Sequence, residues 1–190
     1  MGLFDILTGR RKVKQPAESR LFAMSTAAVT LEMSLGLKDA GKAAIVFQPL
    51  ATADFTSIVD DMEEVLRGTG EDTGTEIEKT DDAFGYRWMV LSDDDFEDLV
   101  VGVNVISQAL HDGGYGERIL CAVFAFRDEQ DQAVYWIYNY KRGTYYPFVP
   151  AGGDQRRDNE RELRLRAQIG NELPIESELE RWFPLWGIPI

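Results

Sequence analysis

The chain has 190 residues, a formal net charge of −13, one cysteine and one histidine. An acidic excess of this size repels phosphates and argues against a nucleic-acid partner. A lone cysteine excludes an internal disulfide framework and indicates a reducing compartment. No apolar run approaches the roughly 20 residues that span a bilayer, so we predict a cytoplasmic protein.

An N-terminal segment, residues 1–20, differs in pattern from the rest of the chain, which we predict to be a single α+β domain over residues 21–190. Apolar residues precede basic ones in this segment, and such an order is typical of weak peripheral contact with an anionic membrane surface. A disordered or docked terminus is the alternative that we favour. The residues proposed for membrane contact are Leu3, Phe4, Ile6, Leu7, Arg10 and Arg11.

The first half of the chain predicts helices alternating with short strands. Apolar spacing after Ser25 favours a helix that Gly36 ends, and residues 43–47 suit a strand. A second helix begins near Asp54 and is expected to end at Gly68 and Gly70. The acidic stretch of residues 70–82 is predicted to be a mobile loop.

An amphipathic helix is predicted after an alternating strand at residues 84–91. Ser92 is expected to cap this helix, and Gly113 and Gly114 to close it. Its buried stripe is predicted to contain Phe96, Leu99, Val103, Ile106 and Leu110.

The second half predicts a meander of three antiparallel strands at residues 119–126, 133–140 and 144–149. Pro147 favours an edge position for the last of these strands. A charged surface helix over residues 158–172 follows, with Leu163, Ile169 and Leu173 as its apolar stripe. The predicted fold class is α+β, with an antiparallel sheet and helices packed mainly on one face.

Residues that could carry out catalysis are scarce. His111, the only histidine, stands at a helix end, where capping explains it. Cys121 falls within an apolar strand and is predicted to be inert. Gly41 and Lys42 resemble a phosphate-binding loop, but Ala43 stands where a magnesium ligand is needed. We therefore predict a binding protein with no catalytic residue, metal or cofactor.

Aromatic residues lie on both faces of the predicted hairpin. A sheet covered by one helical layer buries one side, and tyrosines suit a partner surface on the other. The alternative, which we favour, is that the C-terminal tail with its tryptophans folds back over that face. The candidate partner-binding residues are Tyr135, Trp136, Tyr138, Tyr140, Tyr145 and Tyr146.

Several segments resemble the PspA-associated protein PspAB family. The likeness is carried by MGLFDILTGRRK, VYWIYNYKRGTYYPFVP, RRDNEREL and ELPIESELERWFPLWGIPI, and it is weakest through the acidic stretch of residues 70–80. The resemblance implies association with phage-shock protein A in the envelope-stress response, at or near the inner membrane. A looser likeness to YbjN-type or type III secretion chaperone-like domains implies binding of a peptide segment on a sheet face.

Three functional interpretations stay open at this level. The first is a non-enzymatic adaptor or chaperone-like module for a protein partner, and the second is a homodimer that uses the same aromatic face. The third is a small-molecule or anion-binding protein, or an uncharacterised enzyme, with a pocket near the hairpin. Its polar contacts would be Asn139, Lys141, Arg142 and Arg157.

Overall fold

A computed structural model describes residues 20–152, 155–170 and 172–190. The membrane-contact prediction falls on residues 1–19, outside this part of the chain. In chain order the helices are α1 (Ala23–Leu35), α2 (Ala53–Thr73), α3 (Phe96–Asp112) and α4 (Asn159–Ile169). The strands are β1 (Lys38–Phe47), β2 (Glu76–Asp81), β3 (Arg87–Ser92), β4 (Ile119–Arg127), β5 (Ala133–Asn139), β6 (Thr144–Phe148), β7 (Pro150–Ala151) and β8 (Arg156–Arg157).

Six of these strands form one antiparallel sheet in the spatial order β2-β3-β1-β4-β5-β6. The fold class is therefore α+β, and the predicted meander is confirmed as β4, β5 and β6. Within the described ranges, no helix is both long enough and apolar enough to cross a bilayer.

All four helices contribute side chains to a core on one face of the sheet. Alternate residues of the central strands, such as Ile45, Phe124 and Trp136, point into this core and are fully buried. The opposite residues of the same strands form a second apolar cluster on the other face. Because both faces of β4, β5 and the second half of β1 are covered, these stretches are apolar almost throughout.

Two predicted helix ends are confirmed, at Gly36 after α1 and at Gly113 after α3. Gly36 ends α1 in the left-handed conformation, with φ of 62°. The stripe of α3 is buried as expected, apart from a half-buried Phe96. Its N-cap is Asp95, which accepts from the Glu97 amide, and not Ser92.

The prediction of a loop over residues 70–82 is wrong. Helix α2 continues through Gly68 and Gly70, and strand β2 then pairs with β3 along its whole length. Ile77 inserts into the helix-side core, and Lys79 Nζ lies 2.8 Å from Glu63 on α2. These tertiary contacts hold an acidic sequence in a strand that its composition disfavours.

The apolar stripe of α4 also differs from the prediction. Leu163 is 43% exposed, whereas Leu165 and Ile169 are buried. Glu162 occupies a further buried position on the same helix. Because a charged residue belongs to the buried stripe, apolar spacing alone does not identify the stripe.

The two outer edges of the sheet are protected differently. On β6, Tyr145 donates its amide to Pro174 O and accepts from the Glu176 amide, at 2.8 and 2.9 Å. This short parallel bridge occupies the edge backbone at Tyr145. On β2, the edge carries exposed charges at Glu76 and Glu78, which discourage pairing with another chain.

The turn before β3 is organised by Asp82. Its carboxylate accepts from the Trp88 indole at 2.9 Å and from the amides of Phe84 and Tyr86 at 2.8 and 2.9 Å. Burial acts to raise the pKa of Asp82, but these hydrogen bonds outweigh it and leave the pKa lowered from 3.8. The carboxylate therefore stabilises the fold above its unfolded pKa, and this contribution is lost as pH falls through the folded one.

We expect Asp82→Asn to lower the free energy of unfolding by about 1 kcal/mol at pH 7, because the amide reproduces only part of this acceptor set. The difference from the unsubstituted chain should narrow as pH falls below 3.8. Urea unfolding at several pH values measures it, with exposed Asp94→Asn as the control. A difference independent of pH would contradict this role for the carboxylate.

Candidate partner-binding face

The second face of the sheet is covered by residues 182–190, which we call the C-terminal segment. Trp182 stacks on Tyr146 with ring centroids 6.1 Å apart and planes inclined by 20°. Trp186 meets Phe148 edge-on at 5.1 Å. The segment packs on a cluster that we call the covered face, whose buried members are Ala44, Val46, Trp88, Val90, Cys121, Val123, Ala125, Tyr135, Ile137, Tyr146 and Phe148.

Three side-chain donors hold the segment by its main-chain carbonyl oxygens. Tyr146 donates its hydroxyl to Phe183 O at 3.0 Å, and Tyr135 donates to Ile190 O at 2.8 Å. Arg157 donates from Nη1 to Trp182 O at 2.6 Å. The donors therefore recognise the backbone at both ends of the segment, whatever side chains it carries there.

Arg157 is itself held by a buried carboxylate. Glu162 lies 2.7 Å from Arg157 Nη2, with its side chain 2% exposed, and it also accepts from the Val149 amide at 2.9 Å. Burial raises the pKa of Glu162, against the lowering effect of Arg157 and of the Val149 amide. The pair fixes the guanidinium between α4, the end of β6 and the C-terminal segment.

The six predicted partner-binding aromatics divide between the two faces. Tyr135 and Tyr146 belong to the covered face. The other four, Trp136, Tyr138, Tyr140 and Tyr145, belong to the helix-side core. All six are buried, so none is available to a partner as an open surface in this structure. The favoured alternative, a C-terminal segment folded over one face, is confirmed.

The pairing of β5 with β6 explains why six aromatics do not make one surface. Tyr138 pairs with Tyr145, and both rings point to the helices, with centroids 4.6 Å apart. Ile137 pairs with Tyr146, and both point the other way. Side chains alternate between the two faces along each strand, so this alternation predicts which aromatics lie on the helix side and which on the covered face. The three donors to the segment's carbonyl oxygens have no sequence pattern that predicts them.

The four residues proposed for anion contacts do not converge. Arg157 is paired with Glu162, whereas Arg142 lies in the β5–β6 turn with Nε 3.8 Å from Glu176. Lys141 is exposed in the same turn, and Asn139 ends β5. A cavity of about 340 Å³ near α4 has only Arg157 of these four in its wall. Of these four residues, only Arg157 therefore lines a described cavity, and the anion-binding alternative stays a prediction.

The lone cysteine and the lone histidine lie on different elements, Cys121 on β4 within the covered face and His111 on α3. Burial raises the pKa of Cys121 to about 12, so its thiol stays protonated at neutral pH. His111 lies in the last turn of α3, with its ring against Gly116. In the described ranges, no three His, Cys, Asp or Glu side chains are grouped to hold a metal ion.

Trp182 should contribute most of the free energy with which the C-terminal segment packs on the sheet, because its side chain is 4% exposed and stacks on Tyr146. We expect Trp182→Ala to lower the free energy of unfolding by about 2 kcal/mol, below the usual range for a buried tryptophan because the segment can settle into the gap. Neighbouring Phe183→Ala is the matched control, since that side chain is 58% exposed. Thermal melts of the two variants should separate clearly; equal melting temperatures would contradict the assignment.

The fold and this face define an α+β protein whose antiparallel sheet is layered by helices on one side and by its own extended segment on the other. The family model described as PspAB, PspA associated protein B, matches residues 1–190. The chain belongs to this family. No curated protein and no solved structure matches the chain. The looser likeness to YbjN-type or type III secretion chaperone-like domains is not confirmed.

Proposed function

We propose that the protein is a non-enzymatic adaptor that binds a protein partner, and that this partner is PspA. The family description supports a link to PspA over the whole chain. The observation that carries the binding role is the seating of an extended segment on the sheet by stacked rings and by donors to its backbone. Proteins that bind peptides commonly use aromatic stacking and hydrogen bonds to the peptide's carbonyl oxygens.

The proposal uses fewer contact residues than the six aromatics predicted from the sequence. Tyr135 and Tyr146 lie on the covered face and would meet a partner once the C-terminal segment is displaced. The remaining four aromatics support the fold from the helix side. A chaperone-like role in the envelope-stress response, and membrane contact through the N-terminal segment, are further parts of the proposal.

Direct binding of the purified full chain to purified PspA tests the adaptor role. We expect a saturable complex in biolayer interferometry, with no signal against an unrelated control protein. Absence of binding at every concentration reached would overturn the association with PspA.

The place of contact has a separate test. If PspA competes with the C-terminal segment for the covered face, Trp182→Ala should bind PspA several-fold more tightly, because the competing segment is weakened. Phe183→Ala should bind like the unsubstituted chain. Unchanged or weaker binding by Trp182→Ala would place the PspA contact elsewhere.

A further inference from the structure

The C-terminal segment is held on the sheet without belonging to it. Residues 182–190 form neither helix nor strand. Trp182 makes two hydrogen bonds to the chain just before it, from its amide to Leu179 O and from Nε1 to Glu176 O, at 3.0 and 3.1 Å. The segment's contacts with the sheet are ring packing and the three side-chain donors to its carbonyl oxygens. A segment bound in this way behaves as a ligand of the sheet and not as one of its strands.

The segment also has the composition of a ligand for an aromatic groove. It reads WFPLWGIPI, with no charged residue and with Pro184 and Pro189, which lack an amide donor. Such a peptide cannot pair regularly as a strand, and its carbonyl oxygens are left for donors from the groove. Aromatic-lined grooves recognise proline-containing segments by this combination of stacked rings and donors.

The groove is built entirely by other parts of the chain. Tyr135 comes from β5, Tyr146 and Phe148 from β6, and Arg157 from β8. The chain is anchored before the segment, where Glu176 pairs its backbone with Tyr145. Only residues 177–181, which include a single 3-10 turn, connect that anchor to Trp182.

Because the groove and the segment are separate parts of the chain, a segment from another copy could make the same contacts with the groove. A short connection that opens its 3-10 turn could carry the segment outward, and every donor and ring would meet the same atoms on a neighbouring copy. The segment carries no charged side chain, so its side chains add no local repulsion when two chains of net charge −13 meet. Their overall repulsion remains, and added salt should screen it.

We propose that the covered face is a peptide-binding groove that accepts the C-terminal segment of a second copy, so that two chains associate by exchanging residues 182–190. The occupant is this segment because it is the one sequence that the structure shows seated there, with Trp182 buried between Tyr146 and the Arg166 side chain. The inference does not depend on PspA, and either can fail while the other stands.

A labelled synthetic peptide of residues 176–190 tests the groove in trans. We expect its fluorescence anisotropy to rise on titration with full-length Trp186→Ala, in which a half-buried ring of the competing segment is removed. The unsubstituted chain should bind the peptide several-fold more weakly, because its own segment occupies the groove for most of the time. A control peptide with alanine in place of Trp182 and Trp186 should give no rise.

Light scattering of the unsubstituted full chain provides the second measurement. We expect a dimer fraction that grows with protein concentration and with salt and that falls when the unlabelled peptide is added in excess. If the peptide fails to bind folded Trp186→Ala, or binds no better than its alanine control, the groove proposal is overturned. A strictly monomeric chain at all concentrations overturns the exchange.

Discussion

Replacing Tyr138 and Tyr140 together with serine should prevent the chain from folding, and not merely weaken a binding surface. Tyr138 is fully buried, and its ring lies 5.1 Å from that of Tyr140 and 4.6 Å from that of Tyr145. Each substitution removes a large ring from a packed core, and a loss of about 3 to 5 kcal/mol per ring is typical. Two such losses match the whole stability of an ordinary domain, about 5 to 15 kcal/mol.

Far-UV and near-UV circular dichroism of the double variant measure this outcome, with Phe84→Ser as the aromatic control because Phe84 is 70% exposed. The control should melt within a degree or two of the unsubstituted chain. Should the double variant keep a cooperative melt near the original temperature while losing a partner, these tyrosines would face outward and the assignment to the core would be wrong.

Glu162→Ala should produce the second largest loss, about 4 kcal/mol, since breaking a buried ion pair leaves the other charge without its partner. Arg157 would keep its bond to Trp182 O but lose its carboxylate, and the Val149 amide would lose its acceptor. The loss should be visible in urea unfolding and in the intrinsic fluorescence of the chain, to which Trp182 contributes as one of four tryptophans.

The matched control for this prediction is Glu160→Ala, two residues before on the same helix. Glu160 pairs with Arg164 at 2.7 Å, but both side chains are well exposed, so its removal should cost under about 0.5 kcal/mol. Glu162→Gln should fall between the two, because it keeps an acceptor for the Val149 amide. Comparable losses for Glu160→Ala and Glu162→Ala would refute a buried pair.

Most of the helices and strands could be predicted from the sequence, because apolar spacing and the residues that end each element indicate the same boundaries. The stripe of α3, the meander of β4 to β6 and the end of α1 at Gly36 are examples. The strand β2 could not be predicted in this way. Its partners Glu63 and β3 lie elsewhere in the chain, and its own residues favour a loop.

The candidate site was predictable only in part, for a related reason. The tail's aromatics and the need to cover a second sheet face follow from composition and layer architecture. The ion pair of Arg157 with Glu162 does not, because a carboxylate spaced among charged residues of α4 resembles a solvated face until its burial is known. Donors to carbonyl oxygens leave no trace in sequence, since the acceptor is common to every residue.

The bridge at Tyr145 limits how other polypeptides can join this molecule. Both main-chain groups of Tyr145 are already engaged by the chain's own residues 174–176. Two positions later on the same outer side stands Pro147, which has no amide hydrogen to offer. Another polypeptide therefore has few free backbone groups with which to pair as an added strand at the β6 edge, which disfavours fibril-like stacking there. Binding at this edge must instead use side-chain contacts.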